Sequence, residues 1–104
     1  MKPHPIDVDY IEYSRIEIGR NIRSRREKLG LSRITLGMML ATVSGCGRTP
    51  SSAEAYIRKV EGGDSMSLSR MLMIGDLLSM TPGDMLRGVL SMTDWLEVRQ
   101  REAG

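Results

Sequence analysis

Four breaks punctuate this chain and confine what it can fold into: Gly30, the stretch SGCGRTP over 44–50, the pair Gly62–Gly63, and Thr81–Pro82. Between them the apolar residues recur three and four positions apart, the period of an amphipathic helix. Alternation of apolar and polar residues is absent and β-branched runs are short, so there is no strand signal. At 104 residues and 40% hydrophobic the chain can build one compact core. It has no Phe, one Trp and nine Met, so that core is aliphatic and sulfur-rich, and Met suits irregular gaps.

The segments are read as follows. Residues 1–8 carry Pro3 and Pro5 without periodicity and form a flexible arm. A first helix begins at Asp9, with Ile11, Ile18, Ile22 and Leu29 near one face, and stops at Gly30. Ser32 caps a second, Ile34 to Ala41, with Leu36 and Leu40 four apart. Pro50 keeps Thr49 out of the helical region, so Ser51 or Ser52 caps a third helix. Glu54 falls in its first turn, where a carboxylate suits the helix dipole. This helix runs to Glu61 with Ile57 and Val60 inward, and it is preceded by a loose loop. Ser67 caps a fourth helix, with Leu68, Met71, Leu72, Leu78 and Ile74 or Gly75 on the core. Thr81 caps a fifth, with Pro82 at its first position and a stripe of Met85, Leu86, Val89 and Leu90. Thr93 and Asp94 cap a last turn or two in a tail over 92–104. The domain proper spans 9–91.

Charge is unevenly spread. Arg15 to Lys59 holds ten basic and three acidic residues, a net of +7 within a chain of net +2. Such a block is the footprint of a polyanion-binding face. No apolar run approaches a membrane span, and MKPHPIDVD does not resemble a signal peptide. One cysteine, Cys46, leaves no internal disulfide and no cysteine-rich zinc site, which fits a reducing cytoplasm. His4 has no partner nearby in sequence. The acids do not pair at catalytic or metal spacing, and GCG and EGGD lack the setting of a phosphate cradle. No enzyme activity, metal or cofactor is expected.

IGRNIRSRREKLGLS over 18–32, Leu36 to Leu40, YIRKVEGG over 56–63 and SLSRMLMIGDLLSMTPGDML over 67–86, in this order, resemble the phage repressor and Cro-like helix-turn-helix regulators of the xenobiotic-response-element type. The resemblance implies an all-α, compact five-helix domain whose third helix presents its N-terminal residues to the major groove of double-stranded DNA. By position, the base-facing sites fall on Glu54, Ala55, Arg58 and Lys59, with Ser52 at the start of the same helix. Arg and Lys suit guanine, Glu can accept from cytosine, and Ala can touch a thymine methyl. Arg33 stands where the family usually has glutamine near the backbone and would hold phosphate. Arg26 and Glu61 match a pair that forms a partly buried ion pair in several relatives. The departure is an enlarged turn. From Leu36 to Glu61 the chain is about ten residues longer than a four-residue turn needs, and Arg48 in the added stretch is a phosphate candidate.

The function so implied is a sequence-specific transcriptional regulator, a dimeric repressor on a two-fold operator. The dimer surface is expected in Val89, Leu90, Trp95 and Leu96, beyond what a small core absorbs. Two alternatives keep the fold: an antitoxin that also binds a toxin, and an antiactivator that binds protein without reading DNA.

Overall fold

A computed structural model describes residues 9–103, so the arm expected over 1–8, with His4, lies outside the described residues. The described chain is all-helical, with no strand. Six helices follow in order: α1 Tyr10–Lys28, α2 Arg33–Ser44, α3 Pro50–Glu61, α4 Leu68–Leu77, α5 Pro82–Met85 and α6 Met92–Ala103. Among the described residues no helix is long and apolar enough to cross a membrane.

Each start has a local cause. The side chains of Asp9, Ser32, Thr49, Ser67 and Thr81 accept from the N–H three residues on, opening α1 to α5 in turn. An oxygen there satisfies a donor that the helix itself cannot. For α3 this corrects the expected Ser51 or Ser52 cap. Thr49 is extended, as the following proline demands, and Pro50 takes the first helical position, so Thr49 is the cap. At α6, Ser91 rather than Thr93 or Asp94 accepts from the Asp94 N–H, at 3.2 Å.

The enlarged turn is also corrected. Most of the added residues lengthen the helices. Thr42, Val43 and Ser44 continue α2, and the Thr42 and Ser44 hydroxyls bond back to the Met38 and Leu40 carbonyls. Gly45, at φ 72°, then ends the helix in the left-handed conformation that glycine adopts without strain. The Cys46 N–H reaches back to the Ala41 carbonyl at 3.1 Å. Only Gly45 to Thr49 separate the two helices, and that segment is tied at its start rather than loose.

Ile22, Leu36, Leu40, Ile57, Val60, Ile74, Leu78, Met80 and Met85 form the core. Several expected core positions are outside it. Ile11 and Leu68 are about two-thirds exposed, at 66% and 67%, and Leu29 and Leu72 are also exposed. On α1 the buried line is instead Tyr13, Gly19, Ile22 and Arg26. The fifth helix is a single turn, and of the stripe Met85, Leu86, Val89 and Leu90 only Met85 is buried.

The tail differs most from expectation. Residues 92–103 form a helix of three turns, and Trp95, 3% exposed, is folded into the chain. Its ring meets Tyr10 edge-on at 5.5 Å and lies over Tyr13 at 6.4 Å between centroids. The Tyr10 hydroxyl donates to the Leu90 carbonyl, and the Tyr13 hydroxyl donates to Gly88 and accepts from the Leu90 N–H. Two phenols on α1 therefore hold the connection that delivers Trp95. Trp95 is not an exposed dimer anchor, and Val89 and Leu90 are half-buried; of the expected dimer residues only Leu96 is exposed.

Candidate nucleic-acid interface

The two faces of α3 differ sharply. Ala53, Ile57, Val60 and Glu61 are buried. Spaced four, three and one apart, they trace the core line of a helix. Ser51, Ser52, Arg58 and Lys59 are exposed and Ala55 half-buried, so a polar and basic stripe faces water.

Three contacts set where that stripe points. At the crossing of α2 and α3 a Cβ on Gly37 would lie 2.5 Å from the Ala53 carbonyl oxygen. The helices therefore touch backbone to backbone, an approach only glycine permits. At the other end of α3, a Cβ on Gly19 would lie 2.6 Å from the Val60 carbonyl oxygen. Beside it, Arg26 on α1 donates to Glu61 twice, through Nε at 2.6 Å and Nη2 at 3.2 Å, and through Nη1 to the Leu31 carbonyl at 2.8 Å. Both side chains are buried. The hydrogen bond to Glu61, reinforced by its charge, moves the Arg26 pKa further above arginine's ordinary value against the opposing effect of burial.

Arg33 joins this pair: its Nε donates to Glu61 Oε1 at 3.0 Å. One carboxylate thus serves two guanidiniums, and the cluster carries a net positive charge. The residue read as a phosphate holder is half-committed to fixing α2 to α3, and its side chain remains partly exposed.

The remaining site residues are distributed as follows. The Ser52 hydroxyl donates to the Thr49 carbonyl at 3.1 Å, within the cap of α3. Glu54 forms an ion pair with Arg58 four residues on, rather than capping the helix. Lys59 has no ion-pair partner among the described residues. Arg48 lies over the Tyr56 ring, its Cζ 4.7 Å from the centroid. Thus Ser52, Ala55, Arg58 and Lys59 share one surface of α3, while Arg33 and Arg48 approach from α2 and the connection.

Gly37, Ala53, Tyr56 and Arg70 were missed in the sequence. For Gly37 a signal existed: an isolated glycine inside a helical pattern costs about 1 kcal/mol against alanine, so it marks a close approach or a function. For Arg70 there was none, since its partners Cys46 and Tyr56 are remote in sequence. Among the described residues no group of three or more His, Cys, Asp or Glu could hold a metal ion. No protein-family model, curated protein or solved structure matches this chain.

Proposed function

We propose that this chain is a sequence-specific DNA-binding transcriptional regulator of the phage repressor and Cro-like helix-turn-helix kind, with α3 lying in the major groove. The observation that carries the reading is the stripe of exposed Ser52, Arg58 and Lys59 with half-buried Ala55, on a helix whose opposite face is locked into the core. A helix just fits the major groove, and Arg and Lys are the usual readers of guanine there. Rigid backing matters because a reading helix must hold its angle to keep donors on base edges.

The ion pair between Glu54 and Arg58 does not oppose this use of Arg58. An exposed pair four residues apart on a helix contributes only about 0.3–0.5 kcal/mol, and a bidentate contact to guanine discriminates by about 1–3 kcal/mol. Arg33 can keep its Nε on Glu61 and offer the rest of its guanidinium to phosphate. One such helix reads a short half-site, so a dimeric repressor on a two-fold operator is the expected working form. Exposed Met92 and Leu96 on α6 leave apolar surface for pairing.

Selection of bound sequences from random duplex DNA tests this reading. A two-fold motif with half-sites about one helical turn apart is expected. Recovery of no enriched motif, together with salt-independent retention of duplex, would sink it.

A further inference from the structure

Tyr56 follows Ala55 on α3, and two guanidiniums converge on its ring. Arg48, from the connection before α3, has its Cζ 4.7 Å from the ring centroid, and Arg70, from the first turn of α4, has its Cζ at 5.5 Å. Arg70 Nη2 also donates to the Cys46 sulfur at 3.6 Å. Sharing one ring, the two cations lie within about 10 Å of each other, a screening length at 0.1 M salt.

Arg20, Arg23, Arg26, Arg33, Arg58 and Arg87 each meet a carboxylate. Among the described residues Arg48 and Arg70 do not, nor do Arg15 and Arg25, but Arg48 and Arg70 also share one aromatic ring. A tyrosine ring attracts a cation but does not neutralise it. The arrangement gathers two like charges and leaves both without a counter-charge. The shared ring also restrains where the two guanidiniums sit, which lowers the ordering cost of a charge-assisted contact to an oxyanion. Both side chains are half-exposed, so an anion can reach them from solvent.

We infer that Arg48 and Arg70, held by Tyr56, form a phosphate clip that grips the sugar–phosphate backbone of the duplex whose groove α3 enters. The inference rests on the DNA-binding reading above and adds Arg70 and Tyr56 to it. The source is a duplex rather than a free phosphate because the clip is open and borders the basic stripe of α3. In this role the connection between α2 and α3 carries one jaw and α4 the other, so the clip forms only when both are seated on α3.

The test measures binding of the full chain to a duplex of mixed sequence and to its selected operator across a salt series. Each phosphate contact contributes about 0.9 to the slope of log K against log salt. Arg48→Gln and Arg70→Gln, which keep long side chains able to lie on the ring, should each flatten that slope by about 0.9, and the double variant by about twice that, on both duplexes. Tyr56→Leu keeps both charges, so it should weaken binding with the slope nearly intact. Circular dichroism should show native helicity in all of them. Should the folded Gln variants retain the wild-type slope, the clip fails while the reading function of α3 stands. Should the wild-type chain bind neither duplex, both fail together.

Discussion

Arg26 on α1 and Glu61 in the last turn of α3 face each other through two hydrogen bonds, at 2.6 and 3.2 Å, with 7% and 8% of their surfaces exposed. Removing one partner from such a pair leaves a buried charge uncompensated, at a cost of about 3–5 kcal/mol. Glu61→Ala is the harsher change here, since it strands Arg26 and deprives Arg33 as well. Urea denaturation should therefore show Glu61→Ala losing more stability than Arg33→Ala. Replacing both members, Arg26→Met with Glu61→Leu, should recover most of the loss. Because the Arg26 pKa is raised, its contribution is complete below arginine's ordinary pKa and is lost only as pH rises past the folded value. Titration from neutral to moderately alkaline pH should leave it intact.

Gly37→Ala sets two magnitudes against each other. Alanine improves helix propensity by roughly 0.8–1.0 kcal/mol over glycine. The added Cβ would lie 2.5 Å from the Ala53 carbonyl oxygen and 2.8 Å from the Ala53 Cβ, and neither atom can swing aside. Overpacking costs about 1–3 kcal/mol or more, so net destabilisation is expected, with α3 pushed off α2. A thermal melt decides the sign; a stabilised Gly37→Ala protein would mean the helices are not locked at this crossing.

The exposed stripe of α3 predicts a split among binding variants. Lys59→Ala and Arg58→Ala should each cost about 1–3 kcal/mol on the selected operator and relax preference at one or two base pairs. Their melting behaviour should barely move, since both are exposed. Arg33→Ala should weaken binding to all sequences and lower stability too, because its Nε holds Glu61. Electrophoretic mobility shifts on operator and scrambled duplex, run beside melts, separate these outcomes.

Asp84 gives a pH prediction. The Thr81 N–H donates to its carboxylate at 2.9 Å while its own N–H donates to the Thr81 hydroxyl, a reciprocal cap on α5. The bond from the Thr81 backbone leads in lowering the Asp84 pKa, followed by the Thr81 side chain, with Arg87 and Arg25 assisting. A carboxyl whose folded pKa is depressed stabilises the fold fully above its ordinary pKa and loses that contribution as pH falls through the folded value. Carbon-detected NMR should place its midpoint below the ordinary 3.8, and Thr81→Ala should move it back up. A midpoint at or above the ordinary value would show that the cap does not hold the carboxylate.

What the sequence made legible follows the range of the contacts. The inner face of α3 could be read from Ile57 and Val60 because helical spacing is local. The caps at Ser32, Ser67 and Thr81 were equally local. Arg26 and Glu61 came from the family resemblance, not from spacing. The core line of α1 was misread. Ile11 fits the period, but the exposed and buried sides there are decided by α6, whose Trp95 selects Tyr10 and Tyr13 as its floor. Arg70 was invisible for the same reason, with Cys46 distant in sequence and adjacent in space. The connection was read as looser than it is because glycine was taken as freedom, although at Gly45 it completes a hydrogen-bonded helix end.

Trp95 carries the last prediction, because its burial gives the tail a part in the fold. A tail that served only for pairing could be removed without loss of the fold. Here Trp95 is buried on Tyr10 and Tyr13, with Arg99 over its ring at 5.1 Å. Trp95→Ala should cost about 3–5 kcal/mol, the range for deleting a buried aromatic, and should free α6 from α1. Deleting residues 92–104 should destabilise the domain similarly rather than leave an intact monomer. Trp95→Phe should be milder than its volume loss suggests. The indole N–H is buried without an acceptor among the described residues, and removing an unsatisfied donor offsets part of the lost contact. The Leu96 side chain, 43% exposed on the same helix, supplies the contrast: Leu96→Ser should leave the melt nearly unchanged, and any loss of dimer by light scattering would place the pairing surface on α6. A melt as stable in the truncated chain as in the whole would show that α6 does not brace α1.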